Sequence, residues 1–225
     1  MDNLQRVENE AKQAFQTGDF ASAKRLFLEA LSLAESLPNQ DRLHQAQLLN
    51  NVGFVCQRLK DLPAAQSYFE KAHQTYQAQK SGDSPDFALT LHNLGRTAYL
   101  QREAKTAWSY WTQELEMWKR LKNPAYTPYL ATCLQSCGDI MADAGEFDGA
   151  RRNFEQALQL RETVLPRNHP DIADNLMSLG QLCEAQGDRA AARTYLQKAF
   201  PFFVSALGGD HPVVRELQLS LKRLA

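Results

Sequence analysis

The sequence predicts an all-α solenoid of five helical hairpins closed by a C-terminal capping helix. Three observations predict it. Glycines inside helical patterns recur at Gly53, Gly95, Gly138 and Gly180, spaced 42, 43 and 42 residues apart. Three further columns keep that period: Ala23, Ala65, Ala107, Ala150 and Ala192; the large Phe27, Phe69, Trp111, Phe154 and Leu196; and Ala30, Ala72, Glu114, Ala157 and Ala199. Pro85, Pro128, Pro170 and Pro212 follow it as well. A fixed period of this length marks stacked supersecondary units, each of which buries its apolar flank against the next. A glycine inside a helix costs about 1 kcal/mol relative to alanine, so four in register require a packing reason.

Each unit reads as two antiparallel helices. The first carries apolar residues at helical spacing, as in Leu91, Leu94 and Ala98, or Leu176, Leu179 and Cys183. A short polar break follows: Thr17-Gly18-Asp19, Lys60-Asp61, Arg102-Glu103, Gly145-Glu146, Gly187-Asp188. Glycine there suits a left-handed helix end, and the acidic residue suits the positive end of the next macrodipole. The second segment is again helical, as from Ala21 to Leu37. The small residues allow close helix approach, and the large residue fills the space between pairs. The prolines open first helices, where no backbone donor is needed; Ser84 and His169 precede two of them as caps. The extra residue of the 43-residue spacing falls near Lys122-Asn123-Pro124. Repeats are expected over 1–38, 41–80, 84–122, 125–165 and 169–207 of a single domain, 1–225. From 211 to 225 a capping helix puts Val214, Leu217, Leu221 and Leu224 on one stripe and Lys222 at the glycine register.

Composition narrows the function. Formal net charge is -1, which argues against a protein dedicated to nucleic acid. No apolar run approaches a membrane span, and the charged N-terminal stretch lacks a signal-peptide core. Four cysteines are ordinary usage for a reducing compartment, so a cytoplasmic protein is expected.

LHNLGRTAYLQREAKTAWSYW and NLMSLGQLCEAQGDRAAARTYLQKA resemble the tetratricopeptide repeat family. The period is that of the longer variant found in kinesin light chain, and RETVLPRNHPDIADNLMSLGQLCEAQGD is especially similar to that subgroup. The resemblance covers nearly the whole chain. It departs at Ala11, which takes the glycine register of the first unit, and at Glu114. No heptad coiled coil is present, so no motor-subunit role is inferred. The resemblance implies a right-handed solenoid whose first helices line a concave, non-catalytic groove for a peptide or partner segment.

In the family the residue before the Leu-Gly pair is often Asn, which holds a peptide backbone through both donor and acceptor. Here that register reads Asn51, Asn93, Ser136 and Ser178. Helical register adds Asn50, Phe54, Gln57 and Arg58; His92, Arg96 and Tyr99; Gln135, Asp139 and Asp143; and Gln181 and Glu184. These positions run from basic or neutral to acidic, which fits a partner of opposite charge order. Trp108, Trp118, Phe202 and Phe203 exceed the aromatic register. They serve either extra packing or a second surface for self-association. Gly208-Gly209 lacks the Lys and Ser/Thr of a phosphate loop, and HExxH, GxSxG and CxxC are absent. Cys133 and Cys137 share a helix face, but Cys56, Cys137 and Cys183 fall at apolar registers and read as buried small hydrophobes. His169 and His211 read as loop elements, and Asp139 with Asp143 as a solvated face. No cofactor or metal is expected.

Overall fold

The computed structural model describes residues 3–38, 41–79 and 82–224. The expected repeat ends at Met1, Lys80 and Ala225 lie outside them. The described residues form eleven α-helices and one 3-10 turn, with no strand. The helices are α1 (Asn3–Gln16), α2 (Phe20–Ser36), α3 (Arg42–Arg58), α4 (Leu62–Ala78), α5 (Pro85–Leu100), α6 (Ala104–Leu121), α7 (Thr127–Asp143), α8 (Phe147–Val164), α9 (Pro170–Ala185), α10 (Arg189–Leu207) and α11 (Pro212–Arg223). They pair as five hairpins, α1–α2 to α9–α10, in an all-α repeat solenoid. Two compact units divide the chain, Met1–Leu121 and Lys122–Ala225. The 3-10 turn, Pro124–Tyr126, occupies the loop that holds the extra residue.

The hairpin links are near copies. Each has three residues, and its second position closes the helix with left-handed backbone at Gly18, Lys60, Arg102, Gly145 and Gly187. The following acidic N–H reaches back to a carbonyl at 2.8–2.9 Å: Asp19 to Ala14, Asp61 to Cys56, Glu103 to Ala98, Glu146 to Met141 and Asp188 to Cys183. This is the Schellman closure, which satisfies carbonyls a helix end leaves open. Asp19, Asp61 and Asp188 then cap the second helix by accepting from Ser22, Ala64 and Ala191 N–H. Glu146 makes no such bond. At the joins Asp41, Ser84, His169 and His211 cap first helices with their side chains.

The glycine column has a geometric reason. A Cβ at Gly53 would stand 2.6 Å from Phe69 Cε1, at Gly95 2.3 Å from Trp111 Nε1, at Gly138 2.5 Å from Phe154 Cε1 and at Gly180 2.5 Å from Leu196 Cδ2. The large residue therefore lies over the glycine of its own hairpin. In the first hairpin Ala11 holds the glycine register, fully buried in one core with Phe27.

In the first unit Phe27, Val52, Val55, Phe69 and Leu94 share one core. In the second, Cys183, Leu196, Leu217 and Leu224 form a core that α11 closes, with Leu221 packed against it. Helix α10 continues through Pro201, so that proline does not break it. All four cysteines are free and buried, and burial pushes the Cys56 and Cys183 thiols up. No helix among the described residues is long and apolar enough to cross a membrane.

Candidate interaction faces on the first helices

In the first unit the first helices are α1, α3 and α5. Asn51 and Phe54 of α3 line a cleft of about 220 Å³ with Lys12, Phe15 and Gln16 of α1 and Phe27 of α2. Phe15 packs against Phe54 and Phe20 with ring centroids 5.4 Å apart in both pairs. The floor is thus aromatic, and an amide and an ammonium stand on the rim. Arg58 lies over the Phe20 ring at 5.2 Å, and Arg96 is exposed.

Several expected site residues are engaged within the fold. Asn50 Nδ2 donates to Thr90 Oγ1 at 2.6 Å, and Gln57 Nε2 donates to Thr97 Oγ1 at 2.7 Å, both bridging α3 to α5. Gln57 also reaches the Asn93 carbonyl at 3.4 Å. His92 Nδ1 lies 3.2 Å from Glu114 Oε2, and the same carboxylate accepts Trp118 Nε1–H at 2.9 Å. Tyr99 packs against Trp111 at 5.7 Å. The face presents Asn51, Phe54, Arg58, Arg96 and part of His92 and Asn93, while Asn50 and Gln57 act mainly as ties.

In the second unit the first helices are α7 and α9. Gln135 Nε2 donates to Ser178 Oγ at 2.8 Å, which joins the two helices. Arg161 of α8 is 5% exposed and donates from Nη1 to Gln135 Oε1, Asn175 Oδ1 and the Asp171 carbonyl at 3.0–3.1 Å. Burial lowers its pKa, opposed by the charges of Asp171, Asp174 and Asp139. Asp139 is not a freely solvated carboxylate as expected. Burial, helped by the like charge of Asp143, pushes it up to about 6 against the pull of a Gln135 hydrogen bond and of Arg161. Asp143 is exposed, and Ser136 is half-buried on α7. Gln181 and Glu184 line a smaller cleft of about 100 Å³ with Met177, Leu196, Val213, Glu216, Leu217 and Ser220, and Glu184 pairs with Arg223 at 2.8 Å.

The aromatic surplus resolves mostly into packing. Trp118 is 3% exposed, so it does not belong to an exposed second interface. Phe203 packs against the α10–α11 core, and Trp108 and Phe202 are half-buried. Sequence reasoning missed Arg161 and the role of Trp118. The signal was present: Ala34, Tyr76, Trp118, Arg161 and Phe203 form one more column at the repeat period. The first four are at most 5% exposed.

Helical hairpins closed by left-handed three-residue links, each with a small residue under a large one, define a helical-repeat scaffold. The tetratricopeptide repeat profile matches residues 5–78, 44–120, 86–163 and 138–205, and the chain belongs to that family. The structure is similar to BtubC (BKLC) from P. vanneervenii, at 23% identity over 92% of this chain and 82% of that one, with a TM-score of 0.79. It is similar to the nearly identical kinesin light chain-type TPR-like repeats from Podosopora anserina, at 15% identity over 92% and 99%, with a TM-score of 0.70. It is also similar to a Rap protein complexed with Competence and Sporulation Factor, at 16% identity over 99% and 67%, with a TM-score of 0.72. Among curated proteins none matches the chain. At these identities the likeness establishes the fold.

Proposed function

We propose that the protein is a non-catalytic, cytoplasmic interaction scaffold that holds a peptide or partner segment along its first helices. The observation that carries this reading is the cleft between α1 and α3, where three phenylalanines form a floor beside Asn51 and Lys12. Its size suits one apolar side chain, and Asn51 offers both donor and acceptor to a passing peptide group. The face of the first unit carries Arg58 and Arg96, which suits acidic positions in a bound segment. The Rap protein bound to Competence and Sporulation Factor is a repeat protein of similar fold in complex, which agrees with this reading. Four buried free thiols suit a reducing compartment.

The test is affinity capture with the wild type and with Asn51→Ala plus Asn93→Ala. Loss of a partner from the double variant, with retention in Trp108→Ala plus Phe202→Ala, is the expected result. The reverse pattern would favour self-association or binding through the aromatic positions of the second helices.

A further inference from the structure

Hairpin α5–α6 departs from the repeat at one buried register, and three ring side chains gather around the departure. Glu114 stands in a column otherwise filled by Ala30, Ala72, Ala157 and Ala199, yet it is only 1% exposed. A buried carboxylate is costly unless its oxygens find donors. Trp118 supplies one, Nε1–H to Oε1 at 2.9 Å. His92 Nδ1 stands at the other oxygen, 3.2 Å from Oε2. Trp111 completes the set by donating Nε1–H to the His92 carbonyl at 3.2 Å, which ties its indole to that turn of α5.

An ionised carboxylate only accepts, so the nitrogen facing it must carry the proton. Neutral His92 is then the Nδ1–H tautomer, and Nε2 keeps a lone pair. The His92 side chain is 18% exposed, on the helix that also carries Asn93 and Arg96.

We infer that His92 is a contact residue for a bound peptide, accepting a main-chain N–H at Nε2, and that Glu114 is the positioning residue that fixes its tautomer. This rests on the peptide-binding reading above. It explains why one repeat holds a carboxylate where the others hold a methyl group.

The test has two arms on the full-length chain. Nitrogen-15 spectroscopy of the histidine rings at pH 8, with His92 assigned from His92→Ala, reads the tautomer. Wild type is expected to carry the proton on Nδ1. In Glu114→Gln the amide oxygen must still accept from Trp118, which turns the amide NH2 toward His92 and inverts the tautomer. A wild-type His92 with its proton on Nε2, or a Glu114→Gln ring unchanged from wild type, overturns the inference.

The second arm uses the tightest peptide recovered from a random twelve-residue display library panned on the wild type. His92→Ala and Glu114→Gln should each weaken it about tenfold, the scale of one lost hydrogen bond in a closed contact. N-methylation at one peptide position should abolish the difference between wild type and His92→Ala. Affinity indifferent to both variants overturns this inference alone. Failure to recover any peptide overturns the peptide-binding reading and this inference with it.

Discussion

Hairpin α5–α6 and hairpin α7–α8 share one backbone plan and bury charges of opposite sign. In α5–α6 the buried group is the Glu114 carboxylate, held by Trp118 and His92. In α7–α8 it is the Arg161 guanidinium, held by Gln135, Asn175 and the Asp171 carbonyl. Arg161 occupies the register of Trp118, so neighbouring repeats put an indole and a guanidinium at the same place. Repeat geometry therefore fixes where a side chain points, and residue choice decides whether that place is apolar, anionic or cationic. The Arg161 network ties α8 to α9 through Asn175, the Asp171 carbonyl and the Gln135–Ser178 bond, while Glu114 ties α6 to α5 through His92.

The sharpest way to break this comparison is to remove each buried charge. Arg161→Ala strips Asn175 and Gln135 of a donor and leaves Asp139, Asp171 and Asp174 without their cation. A loss of about 3–5 kcal/mol is expected, as for a broken buried charge network. Glu114→Ala restores the small residue of the other repeats, and His92 can shift its proton, so the remaining penalty is the lost Glu114 acceptor of Trp118 Nε1–H and a void. About 2 kcal/mol is expected. Urea unfolding at pH 7.5 ranks the two, and equal losses would mean the networks are energetically alike.

The glycine contacts come next. Alanine at Gly95 would meet Trp111 Nε1 at 2.3 Å, and at Gly138 would meet Phe154 Cε1 at 2.5 Å. Both rings lie in closed cores, so each substitution should cost about 1–3 kcal/mol by overpacking. Gly95→Ala should be the worse, because displacing Trp111 also breaks its bond to the His92 carbonyl. Thermal unfolding gives the order; a harmless Gly95→Ala would remove the packing explanation of the period.

Much of this was legible in the sequence. The glycine, large-residue and proline columns each have a steric cause that acts locally, and local causes leave periodic traces. The hairpin links were legible because αL closure and N-capping restrict residue type. The faces were legible only as registers. Asn50, Gln57 and Gln135 sit at expected positions, but an amide that could bind a peptide can equally tie two helices, and only geometry separates those uses. Trp118 and Phe203 were read as surplus because their column mixes Ala, Tyr, Trp, Arg and Phe, which hides burial behind chemical diversity.

Asp139 sharpens the electrostatic side of the comparison. Its pKa rises to about 6 from 3.8, so the folded state holds the proton more firmly than the unfolded state between those values. Stability therefore falls as pH rises through that window, and the whole penalty is present above about pH 6. The rise sets a ceiling of about 3 kcal/mol, and partial exposure lowers the expected effect to about 1–2 kcal/mol. Asp139→Asn should thus stabilise at pH 7.5 and give little or no gain at pH 4. A gain independent of pH would show that charge is not its cause.

The smallest effects test the links themselves. Arg102 in α5–α6 holds φ 67° and Gly145 in α7–α8 holds φ 78°. A side chain in that region is disfavoured, whereas glycine accepts it without steric penalty. Exchanging the residues should therefore move the hairpins in opposite directions. Arg102→Gly is expected to stabilise by about 0.5 kcal/mol, because relief of strain is partly offset by a more flexible unfolded chain. Gly145→Ala is expected to destabilise by about 1 kcal/mol, with open space around its Cβ ruling out a packing cause. The pair shifts the melting temperature by only a few degrees in either direction. Its value lies in the sign: a destabilising Arg102→Gly would mean that the arginine side chain holds something in α5–α6 that the backbone alone does not require.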